Sequence, residues 1–224
     1  MIAQLRALFQ KDLKLVLAGG VGLAQPVLLG LLLIFVFSTS LATGELASPQ
    51  AAAAIFWVAS CFSQVLIFNT LYGLEEANGA RIALLLSPVS IHAIWLGKAL
   101  AGFALLVLSQ LVFLPAAIVF LGQSLHADCL MALGGLLLVD WGVVVLGALL
   151  GALAQGQAAK ESLLTVILFP LLIPLLLAGV RIGAAYFSAG AMHEGNWMGL
   201  AFAFDALFTG AALFLFPAVY GAEG

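Results

Sequence analysis

Two carboxylates, Asp140 and Asp205, lie inside long apolar stretches of the chain. An ionised carboxylate in the hydrocarbon of a membrane costs about 3 kcal/mol or more unless it is paired or protonated. Such residues are therefore candidates for a proton relay or an ion pathway. The alternative is a protonated or hydrogen-bonded packing residue that faces another helix. No Lys or Arg within the same stretches offers an evident partner, so both interpretations stay open.

The second group of reactive side chains lies between Tyr72 and Lys98, in the longest charged interruption of the apolar sequence. It combines the carboxylates Glu75 and Glu76 with a turn signal at Asn78-Gly79 and a short apolar helix that ends before Pro88. Three leucines at 84–86 would expose an apolar ridge to water, and such a ridge is normally covered by lipid or by a partner. We therefore predict that a partner docks on this segment and moves the flanking helices.

Sequence motifs for catalysis are missing. The pair Gly97-Lys98 lacks the first glycine and the closing Ser or Thr of a phosphate-binding loop, and neither H-E-x-x-H nor G-x-S-x-G occurs. Cys61 and Cys129 have no metal-binding spacing, and the three histidines are better explained as solvated residues than as haem ligands. We expect no catalytic residue, no metal site and no directly bound cofactor.

The composition is that of an integral membrane protein. Hydrophobic residues make up 65% of the 224 residues, charged residues only 8%, and the mean hydropathy is +1.24, whereas soluble proteins carry about 25% charged residues. Spans of about 20 residues each use most of the chain and leave no room for a soluble domain. Nucleic acid is not an expected partner. We predict a single transmembrane domain over residues 1–224.

The apolar stretches predict an all-α protein with six transmembrane helices. Their expected bounds are about 21–41, 51–72, 94–121, 129–153, 162–182 and 198–220. Before them, residues 2–17 place Ile2, Leu5 and Phe9 on one helical face, with Lys11 and Lys14 opposite. This pattern predicts an amphipathic helix that lies in the membrane interface, and a plain extension of the first span is the alternative.

The basic residues set the expected orientation. Six of the seven Lys and Arg residues fall on one side of the six-span arrangement, and Arg181 alone falls on the other; the six are Arg6, Lys11, Lys14, Arg81, Lys98 and Lys160. Cytoplasmic loops are enriched in Lys and Arg. Both termini and the segment from Tyr72 to Lys98 are therefore predicted to be cytoplasmic.

The same segment resembles the coupling-helix loop of permeases of the ABC-2 type. The similar features are the acidic residues, Gly79, the sequence LLLSP at 84–88, and Gly97-Lys98. With LFQKDLKL near the start and ILFPLLIPLLL at 167–177, the chain resembles haem exporter protein B of cytochrome c maturation over its whole length. It departs from that pattern after Gly79, where Ala80-Arg81-Ile82 replaces a small residue, a leucine and a glutamate.

The resemblance implies a permease of the bacterial inner membrane with a cytoplasmic coupling helix between its second and third spans. The residues expected to couple it to an ATPase are Glu75, Glu76, Gly79, Arg81, Leu84, Leu85 and Pro88. The implied complex contains a permease homodimer, two copies of the ATPase, a haem-handling membrane protein, a small single-span subunit and a periplasmic haem chaperone. ATP binds in the ATPase, and haem is handled within the complex.

The function implied is the coupling of ATP hydrolysis to haem export or to release of the haem-loaded chaperone. Two alternatives remain at this point. The first is an ABC-2 exporter of a lipid, a polysaccharide or a drug. The second is a proton-coupled secondary transporter that uses Asp140 and Asp205.

Overall fold

The computed structural model describes residues 2–18, 21–41, 45–125, 129–154, 160–188 and 196–221. Within these ranges the chain forms eight helices and no strand. They are α1 (Ile2–Ala18), α2 (Val21–Thr39), α3 (Pro49–Ala77), α4 (Ala80–Leu86), α5 (Ile91–Phe120), α6 (Cys129–Ala154), α7 (Lys160–Phe187) and α8 (Trp197–Gly221). Of the expected solvated histidines, His126 and His193 lie outside the described ranges.

Six of the described helices are long and apolar enough to cross a membrane: α2, α3, α5, α6, α7 and α8. This confirms the prediction of an all-α fold with six membrane-spanning helices. The helices α3 and α7 are clearly longer than expected. The span predicted at 51–72 lies within α3, and the span predicted at 162–182 lies within α7. The single-domain assignment of residues 1–224 stays a prediction.

Local sequence signals explain where α3, α4 and α5 begin. Ser48 caps α3, because its side chain accepts a hydrogen bond from the amide of Ala51, and Ser90 caps α5 in the same way through Ala93. The expected turn after α3 is present at Gly79, whose φ of 63° lies in the left-handed region that favours glycine. The two residues between the helices, Asn78 and Gly79, are therefore enough for the chain to turn from α3 into α4.

The helix α3 lies at the centre of the bundle and contacts α2, α5, α6 and α7. Its Phe68 ring fills the space above two glycines, Gly102 of α5 and Gly147 of α6. A Cβ atom at these positions would lie 2.5 Å and 2.6 Å from the ring. One turn later, the Tyr72 ring covers Gly151 in the same manner. The G-x-x-x-G of α6 is therefore the surface on which the aromatic side chains of α3 pack.

The helix α1 packs on α5 and also contacts α2 and α3. Its buried stripe contains Leu8, Asp12 and Val16, and Leu8 lies directly over Gly97. This corrects the predicted apolar face in part: Val16 of that face is buried as expected, but Ile2 is 82% exposed, and the carboxylate of Asp12 faces inward. The cause is a set of charged partners on α3 and α5, which hydrophobic periodicity does not detect. The interfacial position of α1 stays a prediction.

At the end of the bundle where α3 begins, a cavity of about 200 Å³ opens between α3, α5, α6 and α7. Its lining is apolar and includes Phe56, Trp57, Leu114, Ile182 and Phe187. The Trp57 ring also lies against Gly179 of α7. The start of α3 is thus packed against α7 beside an open apolar space.

Replacing Gly147 with leucine should destabilise the fold, because the new side chain would overlap the Phe68 ring at a cost of roughly 1–3 kcal/mol. Gly134→Leu is the matched control, since it lies in the same helix and a Cβ there has no neighbour within 4 Å. The measurement is the thermal aggregation midpoint of each purified variant in detergent. Equal midpoints for the two variants would contradict the close packing of α3 on α6.

Candidate functional site

The candidate site lies at the basic end of the bundle, by which we mean the end that contains Lys11, Arg81 and Lys98. Four helices other than α4 supply its side chains. The last turns of α3 carry Tyr72 and Glu75, α5 carries Lys98, α1 carries Lys11 and Asp12, and the last turn of α8 carries Tyr220. The short helix α4 lies beside them.

Glu75 is the centre of a charge network that consists of Lys11, Asp12, Glu75 and Lys98. Its Oε1 lies 2.5 Å from Lys11 Nζ, and its Oε2 lies 2.8 Å from Lys98 Nζ. Asp12 lies 3.0 Å from the Lys11 ammonium and 3.9 Å from the Lys98 ammonium. Two basic and two acidic side chains therefore balance, and they connect α1, α3 and α5.

This network is inside the protein. Glu75 and Lys98 are each 1% exposed, and Asp12 is 2% exposed. Removing a single charge from water costs several kcal/mol, and only well-placed opposite charges offset that cost. Further contacts assist the pairing: the Lys98 ammonium lies 4.5 Å from the centre of the Tyr72 ring, and the Tyr220 hydroxyl donates to Glu75 Oε2 over 3.2 Å.

The two members from α1 respond differently to their surroundings. Burial raises the pKa of the Asp12 carboxyl, although the charges of Lys98 and Lys11 oppose this effect. For Lys11, burial lowers the pKa, but Asp12 and Glu75 outweigh it, so the net pKa is raised. Asp12 consequently reduces folding stability as the pH rises above its ordinary pKa. Lys11 adds stability that is lost only in alkaline solution, as the pH rises through its raised pKa.

Tyr220 joins the charge network to α4. Arg81, in the first turn of α4, donates a hydrogen bond of 3.1 Å from Nη2 to the Tyr220 backbone carbonyl, and its guanidinium lies 5.3 Å from the centre of the Tyr220 ring. The Tyr220 ring stacks on Phe216, with a centroid separation of 5.1 Å. A continuous set of contacts therefore runs from Arg81 through Tyr220 to Glu75.

The exposed face of α4 differs from the expected leucine ridge. Leu84 and Leu85 are half-buried and pack against the core, whereas Ile82 and Leu86 are 66% and 83% exposed. Ile82 and Leu86 are four residues apart and so share one helical face. The expectation that all three leucines face water is wrong for Leu84 and Leu85, because the turn at Gly79 rotates that side of α4 onto the bundle.

The other residues expected on this surface divide into two groups. Glu76, Gly79 and Pro88 are exposed beside α4, whereas Glu75 is buried in the charge network. Glu75 is thus not a surface residue, because two ammonium groups hold its carboxylate inside. The coupling roles of these residues stay predictions.

The two intramembrane carboxylates lie against different helices. Asp140 is fully buried and accepts a hydrogen bond of 2.7 Å from Gln110 of α5. Asp205 is 4% exposed, and its carboxylate lies against Gly142 of α6 and near Leu175 of α7. A cluster of three or more His, Cys, Asp or Glu residues that could hold a metal ion does not occur in the part of the chain that the structure describes.

Sequence reasoning did not identify Asp12, Lys98 or Tyr220 as members of one site. A signal for Asp12 was available, because it occupies the position four residues after Leu8 and four before Val16, in the middle of an otherwise apolar stripe. Its partners on other helices leave no comparable signal. Tyr220 is 145 residues from Glu75 along the chain.

Residues 3–221, nearly the whole chain, match the CcmB protein family. The chain belongs to this family. A CcmB protein is the permease component of a haem exporter ABC system, so this CcmB chain is a multi-pass membrane transport protein of cytochrome c biogenesis. The resemblance to haem exporter protein B is confirmed. Membership of this family is consistent with a transporter component that is not itself an enzyme. The family also implies a complex with an ATPase. No curated protein matches the chain.

Lys98→Met should destabilise the CcmB chain strongly. The variant leaves Glu75 and Asp12 buried with Lys11 as the remaining cation of the network, and breaking a buried pair costs about 3–5 kcal/mol. Adding Glu75→Gln should restore part of the loss, because it removes the uncompensated charge. The measurement is the thermal unfolding midpoint of each variant in the same detergent.

Lys14→Met is the control for this experiment, since Lys14 is an exposed lysine of α1. It should melt close to the wild-type protein. If Lys98→Met melts as late as Lys14→Met, the charge network does not stabilise the fold.

Proposed function

We propose that this CcmB chain couples ATP hydrolysis by a separate ATPase subunit to haem export or to release of a haem-loaded periplasmic chaperone. The observation that carries the proposal is the contact path from α4 to the charge network. A helix with an exposed apolar face is connected through Arg81 and Tyr220 to the buried carboxylate of Glu75. Such a path can convert a push on one short helix into movement of four others.

The docking surface for the ATPase is the exposed face of α4. Ile82 and Leu86 form its apolar centre, and the exposed residues Glu76, Gly79 and Pro88 lie in the segments before and after α4. Exposed apolar side chains that lie together are typical of protein interaction sites. Leu84 and Leu85 have a different role, because their side chains pack against the core and hold α4 on the bundle.

Contacts between charged and polar side chains transmit the movement of α4 into the bundle. A displacement of Arg81 shifts Tyr220, whose hydroxyl contacts Glu75, and Glu75 cannot leave its two lysines without becoming an uncompensated buried charge. The basic ends of α1, α3, α5 and α8 should therefore move together. This is a rigid-body transition of the kind that amplifies small shifts at an effector site.

The distribution of basic residues supports an orientation in which α1, α4 and both chain termini face the cytoplasm of a bacterial inner membrane. The ATPase would then meet α4 from the side on which ATP is available. The further partners in this proposal are a second copy of the permease, a second copy of the ATPase, a haem-handling membrane protein, a small single-span subunit and the periplasmic chaperone. The family favours haem over a lipid, polysaccharide or drug as the cargo.

Purification of the tagged chain from its native membrane in mild detergent tests the assignment. Mass spectrometry of the associated proteins and an absorbance scan for haem should reveal a soluble ATPase together with a haem-handling membrane protein. Recovery without any ATPase would contradict the coupling role. Recovery of an ATPase without a haem-handling partner would contradict the cargo.

Leu86→Asp should weaken ATPase binding, because it places a charge at the centre of the apolar surface. A loss of about 2 kcal/mol, as for an interface hot spot, corresponds to a reduction in affinity of roughly 30-fold. The measurement is the amount of ATPase recovered with the tagged permease. Leu85 is a poorer target, since its half-buried side chain supports the fold.

Leu46→Asp is the matched control for the α4 variant, because Leu46 is 72% exposed and precedes α3 at the other end of the bundle. It should leave ATPase recovery unchanged. Equal recovery with Leu86→Asp and the wild-type protein would show that α4 is not the docking surface.

Tyr220→Phe should separate docking from transmission. The variant keeps the ring beside Arg81 and removes the hydroxyl that contacts Glu75, so ATPase recovery should be normal while the yield of holocytochrome c falls several-fold. Tyr186→Phe removes a comparable hydrogen bond, of 2.7 Å to the Met131 carbonyl, at the other end of the bundle. A Tyr220→Phe protein with full holocytochrome c yield would contradict transmission through this hydroxyl.

A further inference from the structure

We propose that Asp140, together with Ser60 and Gln110, forms a proton-binding site in the middle of the membrane-spanning bundle, in which Asp140 is a neutral carboxylic acid. The site goes beyond the coupling function, since it lies away from α4 and the charge network. Asp140 takes up one proton from water and forms an O–H bond at the carboxyl oxygen that the protein leaves unpaired.

The three side chains come from three helices and are almost completely buried. Asp140 and Ser60 are 0% exposed, and Gln110 is 3% exposed. They belong to α6, α3 and α5, and each lies well inside its helix. Water therefore does not satisfy their polar atoms from outside, and each unpaired atom costs free energy.

The hydrogen bonds fix the orientation of the Gln110 amide. Its Nε2 donates to Asp140 Oδ1 over 2.7 Å and to Ser60 Oγ over 3.2 Å. The Ser60 hydroxyl donates to the Phe56 carbonyl over 2.9 Å, so its oxygen is free to accept from Gln110. Gln110 is consequently a donor to Asp140 through its Nε2.

The remaining oxygens of the Asp140 and Gln110 pair lack a donor. Asp140 Oδ2 and Gln110 Oε1 have no hydrogen-bond partner. An ionised carboxylate accepts only, so it would leave both oxygens unsatisfied. A protonated Oδ2 instead supplies the missing donor, which the Gln110 amide oxygen can accept.

The charged and titratable neighbours do not neutralise Asp140. On α3 the buried thiol of Cys61 is close enough to interact electrostatically with it, and on α8 Asp205 lies against Gly142, two residues further along α6. The cations on α5 and α7 whose side chains the structure describes are Lys98 and Arg181. Lys98 lies at the basic end, in the charge network, and Arg181 lies beside the Trp197 ring. Both titratable neighbours are neutral or negative, which favours the protonated form of Asp140.

A proton fits the cluster better than a metal cation does. A hard cation takes a full shell of oxygen ligands, whereas this cluster offers two unpaired oxygens, on Gln110 and Asp140. A proton needs one acceptor. The experiment nevertheless distinguishes a bound metal cation from a bound proton.

The test is an infrared difference spectrum between the purified wild-type protein and Asp140→Asn, both in lipid nanodiscs at pH 7 and pH 8. The expected difference is loss of the carbonyl band of a protonated carboxyl at both pH values, with no loss of carboxylate bands. Loss of carboxylate bands would overturn the proposal, and a dependence of those bands on Na⁺ would identify a bound cation instead.

Glu45→Gln is the control, because Glu45 is an exposed residue before α3 and its replacement removes a carboxyl group that lies outside the cluster. If Asp140→Asn does not fold, Gln110→Leu replaces it. Removing the 2.7 Å hydrogen bond to Asp140 should then shift the frequency of the protonated carboxyl band. An unshifted band would mean that the band does not arise from Asp140 and would overturn the assignment.

Thermal stability gives an independent readout. Asp140→Asn keeps an acceptor for Gln110 without a charge, so its melting temperature should stay close to that of the wild-type protein. Asp140→Leu removes the acceptor and should melt clearly lower. If Asp140→Asn melts as early as Asp140→Leu, the carboxyl contributes as a charge and not as a neutral acid.

Discussion

A carboxylate that is shut off from water needs cations beside it, and Glu75 has two, supplied by different helices. This requirement determines the basic end of the bundle. The helix α1 must lie on α5 so that the Lys11 ammonium reaches Glu75. Asp12, the next residue, must also lie inside, so that its carboxylate balances the charge of the second lysine. The position of α8 is linked to the same group through the Tyr220 hydroxyl. The positions of α1, α3, α5 and α8 therefore depend on one buried carboxylate.

Small residues make this arrangement sterically feasible. Gly97 lets α1 approach α5 through Leu8, and Gly151 lets the Tyr72 ring lie flat on α6. The Tyr72 hydroxyl then donates to the Ala148 carbonyl over 2.6 Å, which fixes the ring beneath the Lys98 ammonium. Close backbone contact therefore positions the aromatic ring that assists the buried cation. Packing and electrostatics act on the same side chains here, and neither would suffice alone.

Hydropathy and turn residues were sufficient to predict the six spanning helices, the turn at Gly79 and the short helix that follows it. They did not predict which face of α4 is exposed, because seven residues contain too few turns for a clear periodicity. They also assigned Lys11 to the solvent side of α1, since a hydropathy pattern treats every lysine as a group that seeks water. Its partner Glu75 is 64 residues away in the chain, and a pairing of that range is visible only once the helices are assembled.

The helix α3 is unbroken over 29 residues, from Pro49 to Ala77, which makes it about 43 Å long. Glu75 lies near one end of this rod, and Trp57 lies beside the apolar cavity near the other. A tilt of about 5° around the Glu75 end would displace Trp57, about 27 Å away, by about 2 Å. A small change of angle at the lysine pair would therefore shift the aromatic wall of the cavity of about 200 Å³ near the opposite end of the bundle.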